Sequence, residues 1–360
     1  MWPYWLMLIV PAAAAVMGRD SNVSSIRQGK LRLWGGTWIL AALAIAILIG
    51  YRFEVGGDWP RYVRYVDWAG DRQLSTLLLM PDPGYLLVNW VSSQMGWGIF
   101  GVNVIGASIF AAGLIAFCRA LPRPWLALTV AVPYLLIVLG MGYTRQGIAL
   151  SLGMLGLLAL LRQSTVWFVA WALLGTTFHM SAVLLMPIAA LTKTHNRYWT
   201  AFWVGVVTAG AYFVFLADSV DRLYAGYIEA EYQSEGALIR LLMNALPAAI
   251  LLVWRRYFRF TAVEASLWQW FAVISITLLV LYFVLPSSTA LDRVGLYMLP
   301  LQLVVFSHLP DVLGRRNGGR PIWVGLVLAY YFAVQFVWLN YATHAQYWLP
   351  YRFYPLETIS

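Results

Sequence analysis

The chain has 360 residues, of which 61% are hydrophobic and 11% are charged, whereas soluble domains carry about 25% charged residues. This composition excludes an ordinary soluble protein and indicates an integral membrane protein. The net charge of +9 does not indicate nucleic-acid binding, because Lys and Arg stand in small clusters and form no continuous basic stripe. Cys118 is the single cysteine and the four histidines are too scattered for a zinc motif, so we expect no intrachain disulfide, structural metal or cofactor.

Apolar runs recur along the chain at the spacing of helices that cross a hydrocarbon core about 30 Å thick. They cover residues 2–17, 34–51, 99–118, 125–141, 146–161, 165–191, 199–217, 238–254, 267–285, 294–309 and 321–340. The first run has no positively charged leader, so we expect a retained helix. The run 165–191 is long for one helix and short for two, and the polar stretch "GTTFHMS" predicts a break within it. The expected fold is all-α, a single polytopic membrane domain over residues 1–360 with about 11–12 transmembrane helices.

Basic residues assign the loops to the two faces of the membrane. Short loops rich in Lys and Arg stay in the cytoplasm, and the loops at 18–33, 255–259 and 314–320 fit that rule. The N-terminus is then outside, and strict alternation places a second set of loops on the outer face. These are residues 52–98, 142–145 and 286–293, together with the acidic loop 218–236.

The outer loop 52–98 is long enough to contain helices of its own. Charged residues between Arg61 and Arg72 are typical of a solvated amphipathic helix. The segment 80–100 reads "MPDPGYLLVNWVSSQMGWGIF", in which Pro and Gly open the segment and polar residues interrupt it. We predict that this segment is an amphipathic helix lying in the outer interface.

Unusual polar residues gather on the predicted outer face. They are Arg52, Asp58, Tyr62 and Asp82 in the first loop, Arg145 and Gln146 at the head of one helix, His179 at a helix break, and Asp292 and Arg293 at the head of another. An arginine at a helix N-terminus opposes the positive end of the helix dipole, and ionisable groups near a membrane boundary usually have a partner or a function. An anionic ligand on the outer face is the economical explanation. Simpler roles stay open: a snorkelling anchor for Arg52, a turn residue for Asp58 and an interior histidine for His179.

Five segments that fall on this face occur in a characteristic order: "YRFEVGGDWPRYVRYV", "PDPGYLLVNWVSSQMG", "YTRQGIALSLGMLGLLAL", "FHMSAVLLMPI" and "STALDRVGLYMLPLQL". In this order they resemble the EpsG family of Wzy-like membrane proteins, which are polymerases of exopolysaccharide, capsule and O-antigen repeat units. The resemblance extends from about residue 34 to the C-terminus. It implies a GT-C or Wzy-like fold in the bacterial cytoplasmic (inner) membrane, with the active face periplasmic or extracellular.

The reaction that the resemblance implies is a metal-independent glycosyl transfer. A glycan on undecaprenyl diphosphate moves onto the sugar of another lipid-linked repeat unit in the bilayer, and the lipid diphosphate leaves. The resemblance places Arg52, Arg145 and Arg293 at the diphosphate, and His179, Asp58 and Asp292 in acid/base or acceptor-binding roles. We also expect Tyr62, Tyr85 and Gln146 to contact the sugars. A flippase and a chain-length regulator are the protein partners that the family implies.

Two other classes stay open. A flippase for the same lipid-linked oligosaccharide would be expected to show inverted repeats and polar groups near the midplane. The two halves of the chain have no clear repeat, and the ionisable residues gather at one boundary. A GT-C-type transferase that adds single sugars from a polyprenyl phosphate often carries an acidic pair in its first outer loop, and neither "DD" nor "DxD" occurs there.

Overall fold

The fold is all-α in a computed structural model of the chain, which confirms the predicted class. The structure describes residues 1–18, 35–192, 234, 236–285, 287–314 and 319–357, with a few positions between 198 and 210. Within these residues the only β-type pairing is an isolated bridge between Arg52 and Phe353. Most of the predicted helix 199–217, of the basic loop 18–33 and of the acidic loop 218–236 lies outside the described residues.

The helices are numbered in chain order. They are α1 (Trp2–Met17), α2 (Gly36–Gly50), α3 (Trp59–Gly70), α4 (Leu74–Leu77), α5 (Pro83–Gln94), α6 (Gly98–Ala120), α7 (Pro124–Ala131), α8 (Thr144–Leu161), α9 (Thr165–Phe178), α10 (Met186–Leu191), α11 (Ala237–Trp254), α12 (Ala262–Tyr282), α13 (Thr289–Leu296), α14 (Pro300–Leu313), α15 (Arg320–Tyr341) and α16 (Tyr354–Glu357). A π-helical stretch, Val132–Gly140, continues α7. Two 3₁₀ segments, Met180–Leu185 and Thr343–Tyr347, follow α9 and α15.

Five described helices are long and apolar enough to cross a membrane, namely α6, α8, α11, α12 and α15. The pair α13 and α14 passes the same test as one span bent by 51°. Four shorter apolar helices accompany them: α1, α2, α7 with its π-helical continuation, and α9. The described part of the chain is therefore that of a multi-pass membrane protein.

Close packing of α6 against α8 forms the centre of the bundle. A Cβ atom at Gly113 of α6 would lie 2.5 Å from the carbonyl oxygen of Ser151 in α8, so only glycine permits this approach. Small residues at such crossings let membrane helices pack backbone to backbone. The contact fixes the position of α8, whose first turn carries Arg145.

The segment between α2 and α6 contains the two predicted helices. In α3 the buried residues are Trp59, Tyr62, Val66 and Ala69, a spacing of three and four residues that gives the helix one apolar face. Helix α5 lies between α3 and α6 in the chain and buries Tyr85. The location of α5 in the membrane interface stays a prediction.

The predicted break in the run 165–191 is confirmed. Helix α9 ends at Phe178, and His179 has extended backbone angles of φ −156° and ψ 119°. The chain then continues as a 3₁₀ segment before α10 begins. His179 therefore lies at a change of chain direction rather than on the side of a helix.

Charged residues at the ends of α7, α14 and α15 meet at one end of the bundle. Arg123 Nη2 and Arg320 Nε each lie 3.1 Å from Asp311 Oδ1. Arg123 precedes α7, and Arg320 begins α15. This shared ion pair places the starts of α7 and α15 at the same end of the bundle.

The C-terminal segment packs against the loop that follows α2. The backbone amides of Phe53 and Gly56 donate to the carbonyls of Arg352 and Tyr347, at 3.0 and 2.8 Å. The indole Nε1 of Trp348 donates to the carbonyl of Ile137 at 3.0 Å, and its ring is buried. A Cβ atom at Gly142 would lie 2.4 Å from that ring, so the indole fills the space beside the segment that precedes α8.

We expect Trp348→Ala to lower the thermal unfolding temperature of the purified protein in detergent. Removing a buried indole costs about 3–5 kcal/mol, and this one also satisfies a buried carbonyl. Trp167 is 62% exposed on α9, so Trp167→Ala is the matched control and leaves the melting temperature near that of the wild type. Equal melting temperatures for both variants would contradict this account of Trp348.

Candidate active site

Polar side chains from several helix ends meet at the end of the bundle opposite Asp311. They come from the loop after α2, the turn before α5, the head of α8, the break after α9, and α13. Each stands where a helix begins or ends, and backbone donors and acceptors are unsatisfied at such positions. The site therefore combines distant segments of the chain.

Asp82 is the centre of the cluster. Its Oδ2 atom accepts a hydrogen bond from Arg145 Nη1 at 2.9 Å, and its Oδ1 accepts from the backbone amide of Met180 at 3.0 Å. The residue is 7% exposed and has a left-handed backbone with φ 57°, a conformation that Asp tolerates better than most residues. Burial raises the pKa of this carboxyl, and Arg145 opposes the rise. One carboxylate thus joins the turn before α5 to α8 and to the break after α9.

Arg145 lies against a wall of tyrosines. Its guanidinium carbon is 5.5 Å from the ring centre of Tyr65 and 5.8 Å from that of Tyr85, within the range of a cation–π contact. Tyr62 and Tyr85 are in edge contact at 6.0 Å and are 3% and 1% exposed. These two rings are covered by protein, so we assign them to the support of Arg145 instead of the predicted stacking on sugars.

Gln146, which we predicted to contact the sugars, is also covered by protein. It is 3% exposed, and its Nε2 atom donates to the carbonyl of Arg293 at 3.1 Å. This bond ties the head of α8 to α13. Arg145, the residue before Gln146, is thereby brought to the same region as Arg293.

His179 is held in a defined orientation. Its Nδ1 atom accepts from the backbone amide of Ser181 at 3.3 Å, and the Ser181 hydroxyl lies 2.6 Å from Nδ1 and 2.9 Å from the hydroxyl of Tyr297. Burial, together with the charges of Arg145 and Arg293, lowers the pKa of His179 to about 3. The imidazole is therefore neutral at physiological pH. Because Nδ1 accepts the amide hydrogen, we assign the remaining proton to Nε2.

Arg52 lies outside the reach of a ligand in this structure. It is fully buried, and its three nitrogens donate to the carbonyls of Ile49 and Val55 and to the Thr144 hydroxyl, at 2.6, 3.3 and 2.9 Å. Burial lowers its pKa to about 10, so the group stays charged at neutral pH. Arg52 is therefore not placed to make the predicted contact with the diphosphate. We assign it to positioning Thr144, the residue before Arg145.

Asp292 is engaged by an arginine that the sequence analysis missed. Arg240 donates to Asp292 through both Nε and Nη2, each at 2.5 Å, and the hydroxyl of Ser234 also donates to Asp292 at 2.9 Å. Arg240 stands in the first turn of α11, the position that drew attention to Arg145. A cation in the first turn of an apolar helix opposes the helix dipole, so Arg240 carries the same sequence signal as Arg145.

Asp58 stands at the start of α3 and makes no capping hydrogen bond to that helix. Burial, with the carboxylates of Asp292 and Asp58, raises the pKa of Tyr143 to about 12, so both carboxylates lie near this phenol. Asp58 and Tyr143 also line a cavity of about 950 Å³ between α11 and α15. Among the described residues, no three His, Cys, Asp or Glu side chains form a group that could hold a metal ion.

The helices and this cluster define a multi-pass membrane protein with guanidinium, imidazole and carboxylate groups collected at one end of an α-helical bundle. The chain belongs to the EpsG family, whose family model matches residues 37–353. This membership suggests a glycosyltransferase of the exopolysaccharide-polymerase type and connects the chain with polysaccharide biosynthesis. The chain has no significant match among curated proteins or solved structures.

We expect Asp82→Asn to destabilise the protein strongly. The amide still accepts from Met180 and tolerates the left-handed backbone, but it leaves Arg145 without a countercharge, and breaking a buried pair costs about 3–5 kcal/mol. Thermal unfolding in detergent measures the loss. The double variant Asp82→Asn with Arg145→Gln should recover part of the stability, since it removes the uncompensated charge.

Glu54 provides a matched control for Asp82. It also has a positive φ, of 52°, and pairs with an arginine, Arg352, but this pair is exposed. Exposed pairs contribute about 0–1 kcal/mol, so Glu54→Gln should change the melting temperature little. A similar fall in melting temperature in Glu54→Gln and Asp82→Asn would show that burial of the Asp82 pair does not determine its contribution to stability.

Proposed function

We propose that the protein polymerises lipid-linked oligosaccharide repeat units. In this reaction a glycan leaves undecaprenyl diphosphate and joins an acceptor repeat unit at the periplasmic or extracellular face of the bacterial cytoplasmic membrane. The observation that carries the proposal is the convergence of Arg145, His179 and Arg293. Asp82 bonds both Arg145 and the backbone amide of Met180, the residue after His179, and Gln146, the residue after Arg145, bonds the carbonyl of Arg293. Membership of the EpsG family supports the same class of reaction.

Arg145 and Arg293 are the groups that we assign to the diphosphate. As the glycosidic bond breaks, negative charge accumulates on the leaving phosphate oxygens, and guanidinium groups bind such oxygens through paired hydrogen bonds. Fixed donors stabilise the transition state more than the ground state because the charge is larger there. Asp82 fixes the guanidinium of Arg145 before substrate arrives, so little reorganisation is needed during the reaction.

The proton of the acceptor hydroxyl requires a base, and Asp58 suits this role. The hydroxyl oxygen attacks the anomeric carbon, the bond from that carbon to the diphosphate oxygen breaks, and the diphosphate keeps the electron pair. The hydroxyl proton passes to the Asp58 carboxylate, which lines the cavity and makes no ion pair with any described residue. His179 carries its proton on Nε2 and is suited to donate a hydrogen bond to a sugar or phosphate oxygen. Asp292 orients Arg240.

The substrates and partners follow from this reaction. Both the donor and the acceptor are oligosaccharides linked to undecaprenyl diphosphate, and both lie in the bilayer. We propose that a flippase supplies these units from the cytoplasmic side and that a chain-length regulator acts on the product. No metal ion takes part in the steps assigned above.

We expect Arg145→Lys and Arg293→Lys each to abolish polymerisation while the protein is still produced, because an ammonium group cannot form the paired hydrogen bonds of a guanidinium. The measurement is the length of surface glycan in a deletion strain carrying each variant. Arg64 is exposed on α3, so Arg64→Lys is the control and retains wild-type lengths. Wild-type lengths in Arg145→Lys and Arg293→Lys would remove the diphosphate assignment. Lipid-linked units trapped on the cytoplasmic side would indicate a flippase instead.

His179 variants separate donation of a hydrogen bond from proton abstraction. The amide of Gln reaches the position of Nε2 and can donate, whereas Ala cannot, so we expect His179→Gln to retain more polymerisation than His179→Ala. Since the pKa of His179 is about 3, activity should show no ionisation of this residue between about pH 5 and 8. Equal loss of polymerisation in both variants would favour His179 as a general base. A wild-type pH profile with an ionisation near about 6.5 that the His179→Gln profile lacks would favour the same role.

A further inference from the structure

The cavity between α11 and α15 has no role in the chemistry assigned above apart from Asp58 at its rim. Its volume is about 950 Å³, and the residues from α11 that line it include Ile239, Met243 and Leu246. On α15 the lining includes Val334, Val337 and Tyr341. These residues recur three or four positions apart, so each helix contributes one continuous stripe. At 1.5 Å per residue, the α15 lining from Tyr330 to Tyr341 extends about 16 Å along the helix.

The cavity lies where hydrocarbon is the solvent. Both α11 and α15 are long and apolar enough to cross a membrane, and Val337 and Leu242 on its rim are each 49% exposed. Inside a bilayer no water is available to fill a slot with apolar walls. Its natural occupant is therefore a hydrocarbon chain that enters from the lipid.

One end of the cavity is polar, and it is the end at the candidate active site. Asp58, Tyr143, Arg240 and His344 line the cavity there, near the first turn of α11 and beyond the last turn of α15. Arg240 donates hydrogen bonds from Nε and Nη2 to Asp292 and from Nη2 to Ser234. Its Nη1 has no hydrogen-bond partner within the part of the chain that the structure describes. A charged nitrogen at the end of an apolar slot matches an amphiphile with one apolar chain and a phosphate headgroup.

We propose that this cavity holds the polyprenyl chain of the acceptor repeat unit, with its phosphate end at Arg240, while the diphosphate of the donor lies at Arg145 and Arg293. The inference rests on the proposed function for the identity of the lipid and extends it by assigning the binding site. A phospholipid has two chains, whereas the stripes on α11 and α15 form the walls of one slot. The headgroup of a polyprenyl chain seated there lies beside Asp58 and Tyr143, so the slot aligns the sugar end with the proposed base.

Photo-crosslinking in lipid nanodiscs tests the site without requiring turnover. The probe is a polyprenyl diphosphate with a diazirine in its chain, and the comparison probe is a phosphatidylglycerol with a diazirine in one acyl chain. We expect the polyprenyl probe to label peptides from α11 and α15, and unlabelled polyprenyl diphosphate to compete with it. Labelling of other helices, or equal labelling of the slot by phosphatidylglycerol that polyprenyl diphosphate does not displace, would overturn the proposal.

Ala333 and Ala329 provide a matched pair of variants on α15. Both are exposed small residues one helical turn apart, but only Ala333 lines the cavity. We expect Ala333→Trp to fill the slot and reduce labelling by the polyprenyl probe about tenfold, which corresponds to about 1.4 kcal/mol of binding. Ala329→Trp should label as the wild type does, and the melting temperatures of the two variants show whether both are folded.

The results also separate this inference from the proposed function. Slot labelling that Ala333→Trp abolishes, in a protein that does not polymerise, would retain the lipid site and reject the polymerase. Wild-type glycan length together with undiminished labelling in folded Ala333→Trp would reject the lipid site and retain the polymerase. If Ala333→Trp does not fold, competition by unlabelled polyprenyl diphosphate on the wild-type protein decides the question.

Discussion

The ion pair of Asp82 with Arg145 is the constraint on which the candidate active site depends. Arg145 enters the bundle at the first turn of α8, where the helix dipole is unfavourable for a cation. The carboxylate offsets that position, and its second oxygen satisfies the Met180 amide that α9 leaves unpaired where it stops. Three segments far apart in the chain therefore share one side chain, and the orientation of His179 follows from the turn that Asp82 holds.

A second arginine and carboxylate, Arg240 with Asp292, repeat the arrangement, and Asp292 lies near Tyr143. Buried pairs of this kind contribute little net stability, because desolvation offsets much of the attraction. Their value lies in orientation: a guanidinium held by a carboxylate cannot sample other rotamers. In a site for phosphate chemistry, this means that the donors are aimed before the ligand binds. The family to which the chain belongs is consistent with such a use.

The sequence predicted the positions of the helices well, but it did not predict which side chains contact each other. Hydropathy located the helices, and the polar stretch around His179 located the break in α9, because both depend on neighbours in the chain. Arg52 and Arg145 looked alike from their positions beside apolar runs, yet one is fully buried and the other lies against tyrosines. Asp82 and Arg145 are 63 positions apart, and periodicity in a single sequence contains no information on such a contact. The charges between Arg61 and Arg72 predicted an amphipathic helix, but not that Tyr85 contacts Tyr62 on its buried face.

Arg52 contributes a buried positive charge that is not part of an ion pair with any residue that the structure describes. Its hydrogen bonds go to two carbonyls and a hydroxyl, and no carboxylate neutralises it within the part of the chain that the structure describes. The interior therefore retains a net unit of positive charge next to the strand of backbone that leads into α8. Coulomb attraction is weakly attenuated in a medium of low dielectric constant, and dissolved ions screen it poorly there. An anion at the candidate active site is attracted by a charge that it never touches, and this long-range attraction persists at ionic strengths that weaken surface contacts.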